Sequence, residues 1–171
     1  MRFAFLPFLA LAAVGAAGNA TPGHAPAPKV AVASFNQLPQ PLPLPYDEQA
    51  DATKAVAAAK AKARAEHKLL LIDMGGNWCL DCRILAGTMK LPHLQRFLDK
   101  HYVEVTVDIG RFDKNLGIAQ HYGIAKLAGV PAVLVVDPRT DRLVNKGHAI
   151  ALADARHMNP QALADWLAQW T

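Results

Sequence analysis

Cysteine is nearly absent: the 171-residue chain holds two, Cys79 and Cys82. A small scaffold stapled by several disulfides is therefore excluded, and so is a zinc site built from four cysteines of one chain. No apolar run approaches the roughly 20 residues that a bilayer span needs, which excludes a multi-helix membrane protein. Charge of one sign is not in large excess, since 18 Lys and Arg stand against 14 Asp and Glu, for a net +4. The basic residues fall in two scattered groups, Lys54, Lys60, Lys62 and Arg64, and then Arg139, Arg142 and Lys146, with no aromatics interleaved. That pattern reads as solvated faces and gives no nucleic-acid partner. The 52% hydrophobic fraction is inflated by 32 alanines. The length still suits one domain with appendages, large enough for its own core.

What is present is organised in three parts. Residues 1–20 read as a secretory signal: Arg2 is the charged start, Phe3 to Val14 the short apolar stretch, and Gly18-Asn19-Ala20 the small residues before a cut. Export to a periplasm or an equivalent space is the expectation, with membrane tethering if the segment is retained. Residues 21–45 carry seven prolines, and the Pro-Gln-Pro-Leu-Pro-Leu-Pro run favours extended polyproline conformation. They read as a semi-rigid linker. The alternative is a segment that docks on a partner or on the chain's own surface through Val30, Val32, Phe35 and Leu38. Residues 46–171 form the domain.

Within that domain the elements alternate. Asp47 to His67 is rich in good helix formers. Lys68 to Met74 is a short apolar run ending in Gly75-Gly76, the mark of a buried strand. Cys79 to Met89 and Pro92 to His101 read as helices, and Tyr102 to Asp108 as an alternating strand. Asp113 to Tyr122 reads as a helix stopped by Gly123. Ala132 to Val136 is a strand, Arg142 to Lys146 an antiparallel edge strand. The last helix has Asn159 as cap, Pro160 in its first turn, and Leu163, Trp166, Leu167 and Trp170 on one face. A strand, a crossover helix and a second strand imply a parallel pair. The fold expected is α/β, a mixed sheet with flanking helices and a βαβαββα core, plus an N-terminal helix.

The chemistry concentrates in Trp78-Cys79-Leu80-Asp81-Cys82, between a buried strand and a helix. A helix N-terminus favours negative charge, and the thiolate is the reactive form of cysteine. Cys82 lies three residues beyond Cys79, on the same side of the helix, so the two sulfurs can close a small ring. Cys79 can attack a disulfide, and Cys82 can resolve the mixed disulfide. A bare pair of this kind is also half of a zinc site, but none of the seven histidines has partner spacing. Copper held by Cys79, Cys82 and a His or Met is a further alternative.

These residues resemble the thioredoxin superfamily over roughly residues 68–171, in the manner of exported thioredoxin-like proteins. Three elements carry the resemblance: the Trp-Cys-x-x-Cys motif after a strand, Asp73 six residues before Cys79, and Gly129-Val130-Pro131 before a strand. The resemblance implies that Cys79 is the nucleophile and Cys82 the resolving thiol. It implies that Asp73, a buried acid of raised pKa, exchanges a proton with Cys82. Trp78, Val130 and Pro131 would then form the substrate clamp, with a cis peptide bond at Pro131 and the Val130 backbone pairing with an extended peptide.

The chain departs from the family in two places. Leu80-Asp81 replaces the family's Gly-Pro, and Glu104 falls where a Lys is common. Asp81 and Glu104 are expected to oppose thiolate formation and to tilt the pair toward a reductant. His148 and His157, in a long loop from Gly147 to Asn159, are further candidates for tuning. The reading is an exported thiol–disulfide oxidoreductase acting on protein disulfides. Its redox centre is the Cys79–Cys82 disulfide, and it has no other cofactor and no metal. With two cysteines it cannot reset itself, so a separate dithiol partner, such as a membrane-bound one, must supply electrons. The alternative is a non-catalytic binding module on the same fold, such as a copper metallochaperone.

Overall fold

The computed structural model describes residues 24–171. The expected signal segment, residues 1–20, lies outside them. Helix α1 (Ala52–Ala65) opens on Asp51, whose side chain accepts from the Lys54 backbone. It starts later than the composition suggests because Asp47 closes a turn of its own onto the Gln49 backbone at 2.9 Å. Strand β1 (Leu69–Gly75) follows, then helices α2 (Leu80–Met89) and α3 (Pro92–His101), strand β2 (Tyr102–Asp108), a short helix α4 (Gly117–His121), strands β3 (Ala132–Asp137) and β4 (Arg142–Leu143), and helix α5 (Pro160–Ala168).

The sheet order is β2-β1-β3-β4. β1 runs parallel to β2 and antiparallel to β3, and β3 runs antiparallel to β4. The central β1 is buried on both faces, which explains its unbroken apolar run. Leu70, Ile72 and Met74 pack with Val56, Val107, Leu134 and Val136 beneath α1. Leu71 packs on the other face with Val133, Leu85, Leu94, Leu98, Leu163 and Leu167 from α2, α3 and α5. Burying a side chain of this size contributes about 1.5–3 kcal/mol, so the two layers together dominate the stabilisation.

Two further expected elements come out shorter. The Asp113–Tyr122 helix is reduced to Gly117–His121 because Gly110, Phe112 and Asn115 adopt positive φ. Asn115 then donates to the Asp108 carbonyl and turns the chain. The Arg142–Lys146 strand is reduced to two residues. Beyond it the buried Asn145 side chain takes over the ladder, accepting from the Val135 N–H and donating to the Val133 carbonyl. Its amide thus satisfies groups that a longer strand would have met.

The proline-rich segment is packed against the domain. Val30 donates to Gln161 of α5. Leu38 is 3% exposed and sits in the α2–α3–α5 layer. Arg83 of α2 donates to the carbonyls of Leu42 and Pro43. Thr106 of β2 donates to the Pro45 carbonyl. The segment is a strap on the chain's own surface, the alternative to a free linker, and it ends at Tyr46.

Candidate active site

The end of β1 and the start of α2 bring both cysteines together. Cys79 is the N-cap of α2, in extended conformation, and its Sγ accepts from the Cys82 backbone at 3.2 Å. A sulfur in that position takes up an otherwise unpaired helix N–H, so the geometry favours negative charge on it. The two residues pair as a disulfide with Cα atoms 5.3 Å apart. Cys79 keeps 5% exposure and Cys82 none, so attack from solvent reaches Cys79 before Cys82.

The Val130–Pro131 loop faces this pair. Its peptide bond is cis, and the Val130 carbonyl lies 3.6 Å from Cys79 Sγ. The approach at Gly129 is tight, since a Cβ there would meet the Ala153 methyl at 3.0 Å. Trp78 stands beside the dithiol, 42% exposed. Its indole donates to the Gly110 carbonyl, Arg111 lies over its ring at 4.4 Å, and Phe112 approaches it at 6.3 Å. Trp78, Leu80 and Phe112 are exposed apolar side chains, two of them flanking Cys79 in sequence and the third packed near Trp78.

Asp73 is 3% exposed near the end of β1, opposite Thr106 of β2. Burial pushes its carboxyl up to about 7; the Tyr46 hydroxyl, donating at 2.9 Å, lowers it again in part, and Glu104 adds to the rise. A cavity of about 270 Å³ connects it to the surface between Pro45, Thr106, Glu104 and Asp99. Glu104 itself is at the surface. Desolvation in the groove and then Asp99 raise its pKa, while water at the side chain screens both effects.

Asp81 does not present a free charge to the sulfurs. It is 5% exposed and bound by Arg156, through the guanidinium and through the backbone N–H at 2.8 Å. Burial raises its pKa, and the Arg156 hydrogen bonds and charge outweigh that and lower it. The expected opposition to a thiolate is thus compensated by a positive partner. Through Arg156 the Gly147–Asn159 loop does border the site. Its histidines face elsewhere: His148 stacks near Trp170, and His157 pairs with Asp154 in solvent. Arg156 and Tyr46 are the site residues that sequence reasoning missed. The loop's unusual length and the Tyr directly after the proline run were the available signals.

Among the described residues, no group of three or more His, Cys, Asp or Glu side chains is placed to hold a metal ion. Nor is any helix long and apolar enough to cross a membrane. A dithiol at a helix N-terminus, faced by a proline loop on a four-stranded mixed sheet, defines a thioredoxin-fold redox protein. A thioredoxin-like family model matches residues 51–138, and the chain belongs to that family. A disulphide isomerase of Xylella fastidiosa Temecula1 is 38% identical, with a TM-score of 0.69, over 74% of this chain and 96% of that one. A Pseudomonas aeruginosa protein of unknown function and an HIV epitope scaffold are each 21% identical over 70% of this chain and 84% of theirs. Their TM-scores of 0.40 and 0.38 lend them no weight. No curated protein matches the sequence.

Proposed function

We propose that the protein is an exported thiol–disulfide oxidoreductase that exchanges its Cys79–Cys82 dithiol with protein disulfides. The observation that carries this is the disulfide pair at the α2 N-terminus facing the Val130–Pro131 loop, with Cys82 fully buried and Cys79 the less covered of the two. The likeness to a disulphide isomerase supports the same chemistry. Residues 1–20 support export.

In the reducing direction the Cys79 thiolate attacks one sulfur of a substrate disulfide. A Cys79–substrate bond forms, and the other substrate sulfur leaves as a thiolate. Cys82 loses its proton to Asp73 and attacks Cys79 Sγ. The Cys79–Cys82 bond forms, and the second substrate sulfur leaves with its electron pair. Two electrons pass from the dithiol to the substrate, and a separate dithiol protein returns them. The raised Asp73 suits this proton exchange near neutral pH. Its proximity, rather than that of Asp81, is the charge that opposes a stable thiolate and tilts the pair toward a reductant. Trp78 and Phe112 give an apolar surface on which an unfolded segment lies, and the Val130 carbonyl offers it a backbone partner.

A Cys82→Ser variant tests this in cells that export the protein. Cys79 is expected to accumulate in reducible bonds to proteins of the same compartment. A variant whose Cys79 stays a free thiol, with no adducts, overturns the reading. Intact mass of the exported protein tests removal of residues 1–20.

A further inference from the structure

The strap delivers one buried side chain to the dithiol. Tyr46 is 3% exposed, although most of the strap before it reaches solvent. Its hydroxyl donates to Asp73 Oδ1 at 2.9 Å. A methyl group on Gly75 would sit 2.5 Å from that hydroxyl oxygen and 2.7 Å from Cys82 Sγ. The phenol oxygen and the resolving sulfur therefore flank a single point, and glycine at 75 keeps the space between them open.

The placement of Tyr46 is held by the site's own residues. Asn77, two residues before Cys79, accepts from the Tyr46 N–H at 3.1 Å and donates to its carbonyl at 2.8 Å. Thr106, paired with Asp73 across the sheet, holds Pro45 at 2.9 Å. Arg83, one residue after Cys82, holds Leu42 and Pro43. A segment that served only to connect would not need its last five residues fixed by the strands, loop and helix that build the site.

Resting on the oxidoreductase reading above, we propose that Tyr46 is a positioning residue of the resolving step, whose hydroxyl holds the Asp73 carboxylate toward Cys82 and passes the Cys82 proton to it. The proton leaves Cys82 Sγ for Tyr46 Oη as the phenol proton moves to Asp73 Oδ1. The products are the Cys82 thiolate and a neutral Asp73, and Tyr46 is neutral before and after. Burial, then the Asp73 charge and hydrogen bond, then Asp108, push the phenol well above its ordinary pKa, so no phenolate intervenes. Once Cys82 has displaced the substrate sulfur from Cys79, Asp73 returns its proton to water through the cavity beneath Pro45. Besides Cys82, the charged and titratable groups facing this relay are Glu104 and Asp108 of β2, Asp99 of α3 and Lys90 at the end of α2.

The test uses the reduced mature protein and the aromatic disulfide of thionitrobenzoate, which releases one coloured thiolate on attack and a second on resolution. Tyr46→Phe keeps the ring and removes the relay. The second phase is expected to slow by about tenfold or more, within the range of general acid–base catalysis. Its pH midpoint is expected to move up, because Asp73 loses the hydrogen bond that lowers its pKa. The first phase should not change. Thr106→Val, which frees Pro45 and leaves Tyr46 in the chain, should slow the second phase in part, and it serves as the test if Tyr46→Phe does not fold. An unchanged second phase overturns the proposal. So does equal slowing of both phases with the midpoint unmoved, which marks a packing role. A wild-type protein that releases no coloured thiolate instead overturns the oxidoreductase reading itself.

Discussion

Replacing Asp73 by Asn should make the oxidised protein more stable, by an amount that grows with pH. The rise of its carboxyl from 3.8 to about 7 means that the folded state holds a proton that the unfolded chain has lost. Stability from this group is therefore greatest in acid, falls as pH rises through that window, and levels off above it. At about 1.4 kcal/mol per unit, the full cost of the buried charge is about 4 kcal/mol. At about pH 5 only the part between the unfolded pKa and pH 5 has been lost, so a further loss of about 3 kcal/mol accrues by about pH 9. Asn keeps the shape and an acceptor for the Tyr46 hydroxyl but cannot ionise. Urea unfolding of both proteins at the two pH values gives the difference directly, and effects of Asn that do not depend on pH cancel. A stability gap between variant and wild type that stays constant from acid to base would refute a buried, proton-holding Asp73.

Three other perturbations have defined outcomes. Gly75→Ala places a methyl against Tyr46 Oη and Cys82 Sγ; denaturant titration should show a loss of about 1–3 kcal/mol, as for other overpacked cores. Arg156→Met leaves the Asp81 carboxylate buried without its guanidinium; the Cys79 thiolate, followed by its ultraviolet absorbance, should then form at higher pH than in wild type. Leu38→Ala empties a buried position under the strap; thermal or urea unfolding should show a loss of about 2–5 kcal/mol if the strap is part of the folded unit, and almost none if it is a free linker.

The sequence carried the framework because its signals were local. β1 is a run of Leu and Ile between a helix end and two glycines, and its burial on both faces follows from its place at the centre of the sheet. Tyr102 to Asp108 alternates and pairs along its whole length with β1. Asn159 and Pro160 mark the start of α5 to the residue. The motif, the acid and the proline loop were legible for the same reason: each is a short pattern at a fixed distance from a strand.

What escaped depends on contacts between distant residues. Asp81 reads as an exposed acid beside two thiols until Arg156, 75 residues later, is seen to neutralise it. The edge strand ends early because the Asn145 side chain replaces backbone bonds, a substitution with no periodic trace. The strap has a composition that favours extension, and contacts with distant residues, Gln161, Arg83, Thr106 and Asn77, together with Leu38 in the core, decide that it lies against the domain.

Disulfide turnover by single-cysteine variants bears most directly on the dithiol as the working centre. With a protein disulfide as substrate and a small dithiol to return electrons, the wild type should reduce it catalytically. Cys79→Ser should be inert. Cys82→Ser, reduced beforehand and freed of the small dithiol, should bind one substrate equivalent through Cys79 and stop. Catalysis that survives in Cys79→Ser would contradict the assignment of the less covered sulfur at the α2 N-terminus as the nucleophile.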